Sequence, residues 1–306
     1  MRFAGVVPLL VALLASACTG PAERAVWTWE PDSVAMAQRS EAAASAARFL
    51  RAKGIGTLYL YAGGNDNVLG DQEPAYRGLL RRLHREGLRV YALISSNYSS
   101  AADAPLEARE QSLQAMRRVL AFNASTSADT RFDGISFDIE PHLFDQWRDQ
   151  RRELLRGFLD LADAFMALKR DMGQADLPVG AAVPFWLDSI SLDWRGTRKP
   201  VSEHVLDTLD YIALMDYRDR ADGPDGIIAN AADELAYAQR IGRKVVIGVE
   251  VTPNEVAKVT FSHRSEAEFE RELGRVESAY SGNPAFAGFA IHHYRSYKNW
   301  LRAQDE

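Results

Sequence analysis

"FDGISFDIEPH", residues 132–142, sets acids inside an apolar, β-rich run. Phe132, Ile135, Phe137 and Ile139 suit a buried strand. Asp133, Asp138 and Glu140 do not, because an unpaired ionised carboxylate is costly to remove from water. Side chains in a strand alternate between two faces, so Ser136, Asp138 and Glu140 share one face and Phe137 and Ile139 the other. At a rise of ~3.3 Å per residue, the α-carbons of Asp138 and Glu140 lie roughly 6–7 Å apart. Carboxylates that close repel when both are ionised, which raises one pKa and leaves a protonated acid near neutrality. A half-exposed edge strand shows the same alternation, so the flanking sequence has to place this one.

Working outward, seven further stretches read as strands: "AVWTWE" (25–30), "TLYLYA" (57–62), "RVYALIS" (89–95), "LPVGAAVPF" (177–185), "YIALMDYRD" (211–219), "KVVIGVEVT" (244–252) and "FAGFAIHHY" (286–294). Each is followed by a segment long enough for one crossover helix. The clearest carries Leu154, Leu155, Phe158, Leu161, Phe165 and Leu168 at helical spacing and stops at Gly173. With the opening stretch fourth in the series, eight strand–helix units predict an α/β chain folded as a single-domain (β/α)8 TIM barrel over residues 25–306. A doubly wound open sheet is the rival, but no glycine-rich phosphate loop follows the first strand.

Composition narrows the partners. The 306 residues are 47% hydrophobic and 25% charged, with a formal net charge of −6. That balance, without a basic run, argues against nucleic acid. The one cysteine, Cys18, closes "MRFAGVVPLLVALLASAC", in which a basic residue, an apolar stretch and small residues follow the grammar of an export signal. The apolar stretch is shorter than the ~20 residues a helix needs to span a bilayer. "LLASAC" resembles a bacterial lipobox, with Ala15 at its usual Leu position. The expectation is a signal peptide over 1–18, a lipid anchor on Cys18, a tether over 19–24, and no transmembrane helix in the mature chain. The protein is then a lipoprotein of a bacterial cell envelope; cleavage near Ala17 would instead give a secreted soluble protein.

In a (β/α)8 barrel the chemistry lies at the C-terminal ends of the strands. Those ends supply Glu30, Asn97, Glu140, Trp186, Asp216 with Tyr217, Glu250, and His292 to Tyr294. Acids and aromatics on one rim suit a sugar site, where carboxylates move protons and flat rings cover pyranose faces. Trp27, Trp29, Trp186 and Tyr294 are candidate walls of a glycan groove. Glu30, ahead of Pro31, is a site wall or a turn residue. His292 and His293 alternate faces, so one of them points inward, and His293 is counted with the site. No His, Asp and Glu spacing matches a metal pattern, and no cofactor is expected.

"DGISFDIE" (133–140) resembles the DGxDxDxE signature of family-18 glycoside hydrolases, the chitinase-like enzymes. Asp133, Gly134, Asp138 and Glu140 match, and Ser136 replaces the first inner Asp. "MDYR" (215–218) resembles the family's Met-x-Tyr-Asp, with Arg218 in place of Asp. The family's eighth-strand Trp has no clear counterpart, and "AIHHY" occupies its region. The resemblance implies a glycosidase acting on an N-acetylated glycan. Glu140 would be general acid/base, Asp138 would assist through the substrate's acetamido group, and Tyr217 would lie near the acetamido oxygen. Asp133, Glu30, Trp29, Asn97, Trp186, Asp216, Glu250, His293 and Tyr294 complete the expected substrate contacts. Two alternatives stand beside this. A retaining two-carboxylate glycosidase would use Glu140 as acid/base and Glu250 as nucleophile, although Glu250 could equally be a strand-end acid paired with a rim Arg. A glycan-binding barrel without activity would account for Ser136, Arg218 and the missing Trp.

Overall fold

The structure, a computed structural model, describes residues 21–64, 66–95 and 105–304. The signal-like segment with Cys18, and Asn97, lie outside the described residues. Ten strands follow in chain order: β1 (Arg24–Trp27), β2 (Ile55–Gly63), β3 (Arg89–Ser95), β4 (Gly134–Asp138), β5 (Val179–Pro184), β6 (Ser191–Trp194), β7 (Thr197–Pro200), β8 (Tyr211–Met215), β9 (Lys244–Glu250) and β10 (Phe286–His292). Eight of them close a parallel barrel in the order β1-β2-β3-β4-β5-β8-β9-β10, with β10 pairing back onto β1. This is the (β/α)8 barrel expected from the strand series. The antiparallel pair β6–β7 is an insertion that the sequence reading passed over. Its turn is made by Arg195 and Gly196 at φ 50° and 78°, the left-handed pair that a two-residue hairpin needs.

The alternation in β4 divides two environments. Phe137 faces outward, its ring 6.0 Å from Phe158 and 4.9 Å from Phe165 on the helix Trp147–Asp171. That helix is the amphipathic crossover read from the Leu and Phe spacing, and its apolar face covers the outer side of the sheet. The inner side is a separate cluster, with Trp27, Tyr59, Tyr91 and Tyr211 filling the barrel axis among Ala25, Leu93, Ala213, Val246 and Ala290. Two glycines make room for these rings. A Cβ on Gly134 would lie 2.5 Å from the Tyr91 ring, and one on Gly180 would lie 2.5 Å from the Tyr211 ring. The glycine of the DG pair is thus where it is because a tyrosine occupies its side-chain space.

Filling the axis with large aromatics leaves a hollow at each mouth. The larger one, about 1100 Å³, lies at the N-terminal ends of the strands, around Arg24, Thr57, Arg89 and Lys244. Most of its charges are paired within the fold: Arg24 with Glu270, Arg89 with Glu23, and Asp210 with Lys169, while Lys244 donates to the Pro284 carbonyl. The hollow at the C-terminal ends, about 730 Å³, is lined by acids that have no such cations.

Candidate active site

The C-terminal cleft is walled by Trp27, Trp29, Glu30, Tyr61, Asp66, Ser95, Asp138, Glu140, Met215, Tyr217 and His292. Parallel register brings these residues together. Ser95 on β3 pairs with Asp138 on β4, and His292 on β10 with Glu250 on β9. Glu140 lies two residues beyond the end of β4, which stops at Asp138. There it heads a short turn through Pro141, its backbone at φ −111° and ψ 87°. The proline disfavours helical backbone at the residue before it, so the chain stays open and carries Glu140 over the mouth.

The two acids differ in their surroundings. The Oδ1 of Asp138 is shielded from solvent and has no hydrogen-bond partner. Burial raises its pKa, and the nearby His292 partly offsets this. Glu140 is pushed up to about 7, first by burial and then by the charge of Asp138, with His292 again acting the other way. Glu140 therefore keeps a proton into the neutral range while remaining open to the cleft, which is the state a general acid needs. Its Oε1 lies 3.4 Å from Nε2 of His142, whose ring meets Trp186 and Trp147 edge-on.

Glu250 is a different kind of carboxylate. Its Oε1 accepts the backbone N–H groups of Val251 at 2.8 Å and Thr252 at 2.6 Å. Its Oε2 lies 2.6 Å from Nδ1 of His292. Burial alone would raise this acid, but the His292 ring and the Thr252 amide hold it below its ordinary range. Both oxygens are engaged, so no free carboxylate faces the cleft from β9. Glu250 is absent from the cleft lining among the described residues, and its partner is a histidine, not a rim Arg.

Several expected contacts lie elsewhere. Asp133 sits at the opposite end of β4, where it accepts from the Val90 N–H at 2.7 Å and meets Nε2 of His84 at 3.0 Å. Seven residues of extended chain separate it from Glu140, roughly 20 Å, which excludes a shared site. Asp216 is fully buried on the outer side of β8, held by the side-chain amide of Asn230 at 2.8 Å. It follows Met215 and precedes Tyr217, both of which face the cleft, so alternation turns it away. His293 is the outward member of its pair and bonds Ser296 at 3.0 Å, whereas His292 lines the cleft. Tyr294 opens the helix Tyr294–Arg302 and packs edge-on against Phe49 outside the barrel. Trp186 borders a small side hollow with His142 and Trp147, beside the cleft. Glu30, Trp29 and Tyr217 are in the cleft wall, as are His292, Tyr61 and Asp66, which the sequence reading did not assign to the site. Arg218 is withdrawn: it pairs with Asp225 at 2.7 Å and lies 4.7 Å over the Phe185 ring. Among the described residues, no group of three or more His, Cys, Asp or Glu is arranged to hold a metal ion.

Comparison with solved structures returns the same architecture. A chitinase from Chromobacterium violaceum superposes with a TM-score of 0.50 at 14% identity, covering 92% of this chain and 98% of its own. A GH18 chitinase from Pseudoalteromonas aurantia gives 0.53 at 10% identity, covering 93% and 99%. The GH18 chitinase of Cycas revoluta in complex with (GlcNAc)3 gives 0.53 at 14%, covering 92% and 98%. The likeness is one of fold. No family model matches the sequence, and no curated protein resembles it.

Proposed function

We propose that this barrel is a glycoside hydrolase for glycans carrying N-acetylhexosamine, with Glu140 as general acid/base and Asp138 as the partner of the acetamido group. One observation carries the reading: a buried, unpartnered Asp138 oxygen stands beside a carboxyl that stays protonated near neutrality. In this scheme Glu140 gives its proton to the glycosidic oxygen as the C–O bond breaks. The acetamido oxygen attacks the anomeric carbon, and Asp138 accepts the acetamido N–H, filling its empty acceptor. Water then opens the cyclic intermediate and returns a proton to Glu140. Tyr217 has its ring in the cleft wall and no hydrogen-bond partner for its hydroxyl among the described residues, which leaves it free for the acetamido oxygen. Barrels of this fold include chitinases, one of them with bound (GlcNAc)3, which supports the substrate class.

The two-carboxylate alternative is disfavoured, because Glu250 is held by two backbone amides and His292 and is absent from the cleft lining among the described residues. Among the described residues the cleft wall contains no Lys or Arg, which disfavours anionic sugars. An export signal with a lipid anchor on Cys18, which would tether the enzyme to a bacterial envelope, belongs to the same proposal, with a secreted soluble protein as the alternative. Loss of labelled fatty-acid incorporation in Cys18→Ala is the expected result for that part.

The test is turnover of paired glycosides with and without the 2-acetamido group, by wild type and Glu140→Gln. Acetamido-dependent hydrolysis that falls by about 10²- to 10⁴-fold in the variant is expected. Equal turnover of both substrates would refute substrate assistance. Binding without turnover would mark a glycan-binding barrel instead.

A further inference from the structure

The Glu250–His292 pair is built as carefully as the acids opposite it, yet the reaction above does not use it. A carboxylate only accepts hydrogen bonds, and Glu250 is pinned by two backbone amides, so Nδ1 of His292 carries the hydrogen that joins them. The ring cannot tumble. Trp29 meets it at 5.6 Å and 72°, Trp27 at 6.1 Å and 60°, and Tyr217 lies over it at 5.8 Å and 32°. What remains is Nε2, on a side chain that is 21% exposed, lines the cleft and has no partner for that nitrogen among the described residues. Asp138 and Glu140 are near enough for the ring to act on both. Three aromatic walls and a locked carboxylate thus orient one nitrogen toward the space where a sugar would meet Glu140.

We infer that His292 is a substrate-binding residue whose Nε2 hydrogen-bonds a ring hydroxyl of the sugar beside Glu140. Glu250 is its positioning residue, acting by fixing the tautomer and the ring plane. The pair gives this cleft a polar contact that reads a hydroxyl, in a region where a flat apolar surface would read only shape. The inference rests on the proposed sugar site and adds which sugar feature that site selects.

The experiment uses binding, so that it does not depend on turnover. In the Glu140→Gln background, dissociation constants are measured by calorimetry for an N-acetylglucosamine trisaccharide. The same is done for analogues lacking one ring hydroxyl at a time. One deoxy analogue is expected to bind roughly tenfold to a hundredfold more weakly. His292→Phe should weaken the parent sugar to a similar extent and show no further loss with that analogue, the non-additivity of a direct contact. His292→Asn, which keeps a polar group able to donate or accept, should restore part of the discrimination. Glu250→Gln should diminish it while leaving the melting temperature near that of the parent. Independent, multiplying losses for His292→Phe and every deoxy analogue would overturn the contact, as would unchanged binding by His292→Phe. Acetamido-dependent turnover by wild type alongside such additivity sinks this inference alone. Failure to bind any of the sugars sinks it together with the hydrolase reading.

Discussion

Replacing Asp138 with Asn separates the two causes that hold a proton on Glu140. Glu140 rises from 4.5 to about 7, with burial the larger cause, Asp138 the second, and His292 opposing both. Two unit charges about 4 Å apart at an effective dielectric near 20 interact by about 4 kcal/mol, and by less at larger separation, which sets the scale of the Asp138 contribution. Burial contributes more than Asp138 to the rise, so Glu140 keeps part of its elevation when the Asp138 charge is removed, and each pH unit of limb shift corresponds to about 1.4 kcal/mol. The sign follows directly. Removing a negative neighbour makes the ionised form of Glu140 easier to reach, so its pKa falls. A general acid must be protonated to act, so the basic limb of the pH profile of kcat/KM moves down by the same amount. The assay is kcat/KM for an acetamido-bearing aryl glycoside across the acid and neutral range, for wild type and Asp138→Asn. The absolute rate falls as well, because Asp138 is placed on the acetamido group, so the limb position is what decides. A basic limb that stays put, or moves up, would refute the assignment of that limb to Glu140 beside a charged Asp138.

Ser136→Asp should do the opposite. Position 136 is fully buried on the same face as Asp138, so a third carboxyl there competes for the same positive potential. The basic limb should move up, and thermal stability should fall because a buried acid has been added. Gly134→Ala tests the packing beneath the site: its Cβ would stand 2.5 Å from a Tyr91 ring that is itself set edge-on between Tyr59 and Tyr211. A cost of about 1–3 kcal/mol is expected, read as a lowered denaturation midpoint. Glu234 is buried with both carboxyl oxygens unpartnered, and burial pushes it up to about 8. The folded state therefore binds its proton more tightly than the unfolded chain. That stabilisation is complete below about 4.5 and is lost as pH rises through about 8. Glu234→Gln should flatten the decline in stability across this window, measured by denaturant unfolding at several pH values.

The barrel was legible because its signals are repeated. Eight apolar runs separated by helix-length segments admit few topologies, and each boundary error is small against that series. The hairpin β6–β7 was missed because its strands are four residues each and partly charged. Site residues depended on parity, which a single strand does not fix. In β10 the large Phe289 and Ile291 face outward and Ala290 inward, so counting from the small residue points His292, and not His293, into the cleft. The same count in β8 takes Ala213 inward and Asp216 outward. Asp133 was misplaced for another reason: a motif read as one unit spans the full length of a strand, and its two ends open on opposite mouths of the barrel. Tyr61 and Asp66 carried no distinguishing pattern. They join the site through a loop bond, the Tyr61 hydroxyl donating to Asp66 at 2.7 Å.

The departures from the resembled motif have a common physical effect on the charge of the cleft. Ser136 in place of an inner Asp removes a buried negative charge from beneath Asp138, which leaves Asp138 and Glu140 to divide the proton between themselves. Arg218, in place of another Asp, could have brought a cation to the rim, but its pairing with Asp225 and its stacking on Phe185 keep it out. His292 stands in the region of the absent Trp and is tied to a carboxylate that is itself held by two amides. One acid is lost from the floor, a charge is kept off the rim, and a polar ring is added with a carboxylate behind it. Each change taken alone would count against activity. Together they leave Glu140 protonated near neutrality and Asp138 unpartnered, which is the state the proposed mechanism requires of both.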